Sequence, residues 1–148
     1  MEYRKFGNQY YLRLDCDDEV IASIRDVCER EGIRSATFSG IGGCKDAEIQ
    51  VFDPEKSAFE TERVEGLLEL VSLMGNVISQ DDGALSHHVH ALFAYHDENG
   101  QQRIAAGHLK STTVLYTAEI ELRPVIGGTI GATHNAETNT KFWNLETE

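Results

Sequence analysis

At 148 residues, with 41% hydrophobic and 26% charged residues, 13 glycines and 2 prolines, the chain can fold as one domain with its own core and has neither a disordered nor a fibrous composition. Its formal net charge of −12 argues against autonomous DNA binding, which draws its affinity from Lys and Arg contacts that release counterions; the 13 basic residues here are scattered from Arg4 to Lys141. The cysteines, Cys16, Cys28 and Cys44, are odd in number and lack C-x-x-C spacing, which speaks against a disulfide framework or a cysteine zinc site, and without a signal-like or membrane-length apolar run the protein is expected to be soluble and cytoplasmic.

In chain order, Tyr10-Tyr11-Leu12-Arg13-Leu14 alternates as a first strand. Val20, Ile21, Ile24, Val27 and Cys28 then recur at helical spacing and predict an amphipathic helix over about 18–31, with Asp17 as its cap and Gly32 as its end. A short strand from Ile33 to Phe38 leads into SGIGGCKDAEIQVFD, which lacks a G-x-G-x-x-G or Walker pattern and is followed by strand-like alternation. Its glycines therefore predict a tight turn or a bulge rather than a phosphate loop. Asp53-Pro54-Glu55-Lys56 reads as a turn, and Ala58 to Val64 as a polar strand near a sheet edge.

In GLLELVSLMGNVIS, simple alternation puts Leu67, Glu69, Val71 and Leu73 on one face and Leu68, Leu70 and Met74 on the other, a strand expected to be buried on both sides. A carboxylate in such a place is costly unless paired, protonated or bound to a cation, so Glu69 is a functional candidate; an ion pair with an arginine such as Arg123 is the structural alternative.

The segment SHHVHALFAYHDENGQQRIAAGHLK carries the clearest chemistry. Alternation places His88, His90 and Leu92 on one face of a strand and Val89, Ala91 and Phe93 on the other, while His87 points away from the first set. The turn near Asn99-Gly100 can close in two ways. A two-residue type I′ loop would put His108 opposite Ala91, whereas a three-residue loop with Gly100 in the left-handed position pairs Asp97 with Gln101 and sets His108 opposite His90. In the second case three imidazoles share one side of a hairpin, a nitrogen set suited to a metal with a fourth position left open. The same spacing also suits hydrogen-bonded core or interface histidines. Thr112 to Leu122 reads as a long strand with Val114, Tyr116, Ala118, Ile120 and Leu122 on one side, ended by Pro124. In the tail His134 is expected to be exposed, and Phe142, Trp143 and Leu145 to dock on the body or on a neighbouring subunit. With no repeat or linker, residues 1–148 read as one α+β domain, its core from about 10 to 145: a bent, antiparallel-rich sheet with one main helix.

Taken together, FSGIGGCKDAEIQVFD, LLELVSLMGNVIS, HHVHALFAYHDENG and GHLKSTTVLYTAEIEL resemble the PPC domain, conserved in plants and prokaryotes and found with AT-hooks in plant proteins. The resemblance implies a homotrimer and, in prokaryotic members, a metal, zinc, held by the H-x-H and G-H-L histidines, here His88, His90 and His108. It places Glu69 at the carboxylate of the E-x-x-S-L-x-G-N segment and Gly107 beside the third ligand. The family's DNA-binding label meets a chain with no AT-hook, and the tail TNTKFWNL departs from the usual T-G-L ending. A more distant likeness of fold and site is to acetolactate decarboxylase, whose zinc is held by three histidines near a glutamate. The leading expectation is a cytoplasmic, metal-binding homotrimeric module with a regulatory or ligand-binding role. The alternatives are a zinc-dependent lyase or hydrolase acting on a small oxygenated substrate with Glu69 as catalytic carboxylate, and a DNA-binding protein acting with a basic partner.

Overall fold

The apolar stripe at helical spacing forms the single α-helix, Val20–Arg30 (α1), in a computed structural model that describes residues 1–80 and 82–145; the last three residues of the 1–148 span lie outside that description. Glu19, rather than Asp17, caps the helix, its carboxylate accepting from the Ala22 amide, because Asp17 adopts a left-handed conformation (φ +73°) and cannot take the extended one a cap requires. At the other end Gly32, at φ +64°, lets the Ile33 amide donate back to the Cys28 carbonyl at 2.8 Å, closing the helix in a Schellman arrangement. Val20, Ile21, Ile24, Val27 and Cys28 are all buried, and the helix packs on the strand Gln102–Pro124 described next.

Glu2–Phe6 (β1) and Gln9–Asp15 (β2) form a hairpin over the two-residue loop Gly7-Asn8, a strand pair whose first member carries no apolar alternation. Ser35–Asp53 (β3), Ala58–Ser79 (β4), Leu85–His96 (β5) and Gln102–Pro124 (β6) complete a six-stranded sheet in the order β1-β2-β6-β3-β4-β5, antiparallel throughout. β5 also pairs with the first part of β6, so β3, β4, β5 and β6 bond in a ring. Gly131–Asn135 (β7) and Thr140–Asn144 (β8) form a separate small hairpin, tied back by Lys141 to Gln80 and by the Ile130 amide to the Ser35 hydroxyl. Sheet accounts for 69% of the residues and helix for 8%, so the protein is β-dominated and the α+β description holds only in part.

Of the two forms expected for the glycines of SGIGGCKD, the structure has the bulge and not the turn: they lie inside β3, where register shifts at Gly40/Gly42 and Cys44/Asp46 bend the strand. Two other expectations change with the bulges. On β4 the shifts facing them break simple alternation, so Leu68, Leu70 and Leu73 all point inward. Leu67, Glu69 and Val71 stay exposed, so this stretch is buried on one side only, while Val77, Ile78 and Ser79 beyond it are buried in succession. Tyr116, which alternation places on one side with the buried Val114, Ala118, Ile120 and Leu122, is 67% exposed, since β3 and β6 slip between Gly42 and Cys44. Phe142 and Trp143 of the tail remain about half exposed and Leu145 66% exposed, so they do not dock on the body of their own chain.

Candidate metal centre

The turn after β5 closes as a three-residue loop. The Asp97 amide donates to the Gln101 carbonyl at 2.9 Å, the Gly100 amide to the Asp97 carbonyl at 2.9 Å, and Gly100 takes φ +74°. That register carries along both strands and sets His108 opposite His90. Asp97 organises the loop: one carboxylate oxygen accepts from the amides of Asn99 and Gln101, and the other from Arg103 Nε at 2.8 Å. The Arg103 guanidinium, helped by those amides, holds its carboxyl below the usual value of 3.8. A carboxyl depressed on folding gives stability that is complete above its unfolded value and fades as pH falls through the folded one. We therefore expect loop order, followed through the amide signals of Asn99 and Gln101, to persist above about pH 4 and to fail below it. Asp97→Ala should lose that order at neutral pH.

On the outward side of this hairpin the three ring nitrogens converge. His88 Nε2 lies 3.2 Å from His90 Nε2 and 3.1 Å from His108 Nε2, and the donor atoms of all three residues lie within 4.8 Å of one another. His88 and His90 are exposed and His108 half-buried. Partial burial, then the neighbouring imidazoles, push His88 and His108 below the usual imidazole range, so both are neutral near pH 7, the form that ligates. The Gln50 carbonyl, on the residue paired with His108 across β3 and β6, opposes that shift by favouring a proton on the His108 ring. Phe59 stands edge-on to the same ring, with centroids 5.2 Å apart.

A metal fits this donor set. Nitrogens bound at 2.0–2.1 Å in a tetrahedron stand roughly 3.3–3.4 Å apart, close to the separations found here. His88 Nε2 offers one hydrogen or one lone pair and can hydrogen-bond to only one of its two partners, whereas a cation can take the lone pairs of all three rings.

Glu69 is not part of the cluster. Its residue pairs with Ala94, four positions along β5 from His90 or about 13 Å at strand rise, and its side chain is exposed. The burial that made it a candidate is absent, as is the alternative pair with Arg123, which binds Glu121 instead. His87 lies off the cluster and feels Arg25 and Glu19 of the helix region, and His134 is exposed on β7 beside Asn139. Sequence reasoning missed the Gln50 carbonyl and the Phe59 ring, which reach His108 from a hairpin that no local pattern links to it.

Residues 1–126 match the family described as the Plants and Prokaryotes Conserved (PCC) domain. A plant- and prokaryote-conserved (PPC) protein from Pyrococcus horikoshii is similar at 29% identity, covering 99% of this chain and 97% of that one, with a TM-score of 0.78. A metal-containing protein from Archaeoglobus fulgidus is similar at 29% identity over 97% and 96% of the two chains, with a TM-score of 0.79. A protein from Bacteroides thetaiotaomicron that bears a provisional DNA-binding name shares the fold at 22% identity over 97% and 96%, TM-score 0.83. Alpha-acetolactate decarboxylase from Bacillus subtilis shares it more distantly, at 11% identity and a TM-score of 0.54 over 78% of this chain and 52% of that one. None of the curated proteins matches the sequence.

Proposed function

This chain belongs to the Plants and Prokaryotes Conserved domain family, and from that premise we propose that it is a metal-binding module in which His88, His90 and His108 hold one zinc ion. The observation that carries the reading is the meeting of three Nε2 atoms at the spacing a shared cation requires. Imidazole also suits copper, nickel and iron; a near-tetrahedral spacing with neutral donors favours zinc. Zinc held by three nitrogens supplies a Lewis-acidic fourth position for an oxygen ligand. This chain's own residues do the rest. The Gln50 carbonyl acts on the His108 ring, Phe59 shields one side of that ring, and the Asp97 loop keeps His108 opposite His90.

The module works as a homotrimer in the cytoplasm, with a regulatory or ligand-binding role. Family membership supports the assembly, and three unpaired thiols suit a reducing compartment. Among the described residues no helix is long and apolar enough to cross a membrane. Metal analysis of untagged protein purified without chelator tests the reading: one zinc per chain supports it, and none after zinc loading overturns it.

A zinc-dependent lyase or hydrolase is the second reading, favoured by the solvent access of His88 and His90, which leaves the fourth position reachable. DNA binding gains no such support. Nine of the 13 lysines and arginines are in ion pairs with this chain's own carboxylates, so no cationic stripe is left for a phosphate backbone. A mobility shift at near-physiological salt should show no complex without a basic partner.

A further inference from the structure

We propose that the metal site takes a small molecule with an oxygen donor at one end and an uncharged apolar body, the body lying on the outward face of the β5–β6 hairpin against Phe52 and Phe59. The inference rests on the metal reading and adds the class of ligand and the surface that selects it.

The hairpin lays that surface out. β5 and β6 pair without a register shift from His90 opposite His108 to His96 opposite Gln102, so alternation holds along the whole length. Ala91, Phe93 and Ala105 are buried, which leaves their neighbours facing out. Beyond the His90 and His108 pair, the outward pairs are Leu92 with Ala106 and Ala94 with Ile104. Ile104 is 65% exposed, Ala106 is exposed, and Leu92 and Ala94 are half-buried. All four are uncharged. Ile104 lies four positions from His108, about 13 Å at strand rise, which sets the reach of a body whose head is on the metal.

A wall stands beside this floor. Phe59 is edge-on to the His108 ring, with centroids 5.2 Å apart, and edge-on to Phe52 at 5.4 Å; both phenylalanines are about half exposed. They reach this side because Gln50, two residues before Phe52, is paired with His108. Apolar surface therefore begins at the ring of one of the three ligands and runs away from it.

The size and bonding of the surface exclude larger occupants. Strands about 4.8 Å apart over that length offer on the order of 200 Å², against about 800 Å² per partner in a stable protein contact. From His90 to Ala94, β5 is bonded to β4 on one edge and to β6 on the other, so it has no free edge for an added strand. A charged body would give up its hydration to a floor that has no charge to pair with it, whereas an apolar body gains by leaving water.

The untagged full chain, loaded with cobalt(II) as a coloured substitute for zinc, tests this by titration with acetate and octanoate. An oxygen entering the fourth position changes the visible absorption bands, so the spectrum reports the head and the midpoint reports the tail. Octanoate should reach the same final spectrum as acetate at a concentration at least about 30-fold lower. Ile104→Ser and Phe52→Ser should each raise the octanoate midpoint at least about threefold and leave the acetate midpoint and the cobalt per chain unchanged. Phe142→Ser, on the separate β7–β8 hairpin, should alter none of these. Circular dichroism verifies folding, and Leu92→Ser replaces either hairpin-face variant that does not fold. A chain that holds neither cobalt nor zinc overturns the metal reading and this inference together. A loaded chain whose spectrum neither acid changes, or whose two midpoints coincide, overturns this inference alone. An octanoate gain that survives in the folded face variants, or falls as far in Phe142→Ser, overturns the choice of face.

Discussion

His90→Ala and His108→Ala should each weaken zinc binding by more than about 100-fold, or about 2.7 kcal/mol, whereas His134→Ala should leave it unchanged. The size follows from coordination. Loss of an outer-shell partner typically costs 10–100-fold in affinity, and removing one of three nitrogens takes away a metal bond outright. Folding should survive, because His90 is exposed and His108 only half-buried, so no core volume is lost. His134 is the control because it is an imidazole on another hairpin, with Asn139 as its neighbour. Competition with a chromophoric chelator on tag-free protein gives the affinities. Equal weakening in all three variants would mean that zinc is held elsewhere or non-specifically. Binding retained in His90→Ala alone would narrow the site to His88 and His108 with a ligand from outside the cluster.

The histidine geometry was legible because it depends on local rules. Alternation along β5 fixed which imidazoles share a face, and loop length fixed the partner of His108; the sequence left only two closures, and Gly100 at φ +74° together with the Asp97–Gln101 pairing selects one. The helix stripe was legible for the same reason, since all five of its apolar residues are buried. The strand partners that reach the site were not. Gln50 and Phe59 approach His108 because β3 pairs with both β4 and β6, and no local pattern states which strands neighbour one another.

Glu69 shows how a period-2 argument fails. Alternation is reliable only while the register is unbroken, and each bulge moves every later side chain to the other face. Between Cys44 and Gly40 of β3, the partner strand runs from Leu68 to Leu73, one residue more than the four-residue interval opposite it requires. That extra residue turns both Leu70 and Leu73 inward and leaves Val71 outside. The apparent two-sided burial of β4 came from counting across that shift. The first hairpin was missed for a different reason. β1 is an edge strand with the charged sequence EYRKF, and the features that suit an edge to water hide it from a hydrophobic pattern.

Gly107→Ala should cost about 1–3 kcal/mol of folding stability and weaken zinc binding in the molecules that remain folded. Gly107 sits one residue before the point where β6 passes from β5 to β3, with Ala91 opposite it, while His108 faces both His90 and Gln50. A Cβ there would lie 2.6 Å from the Gln50 carbonyl oxygen, 2.9 Å from Val51 Cγ2 and 3.0 Å from Ile49 Cγ2. The first contact is backbone and cannot swing aside, so relief requires β3 to move off β6. That movement draws away the carbonyl that acts on the His108 ring, which couples the stability loss to the metal site. Gly128→Ala is the matched control, because a methyl there meets nothing within 4 Å. Thermal melts of the two variants with and without zinc decide the matter. The wild type and Gly128→Ala should melt together and gain the same increment from zinc, while Gly107→Ala melts earlier and gains less. Coincident melts for all three would mean that β3 yields without strain and that the Gln50 carbonyl does not hold the His108 ring.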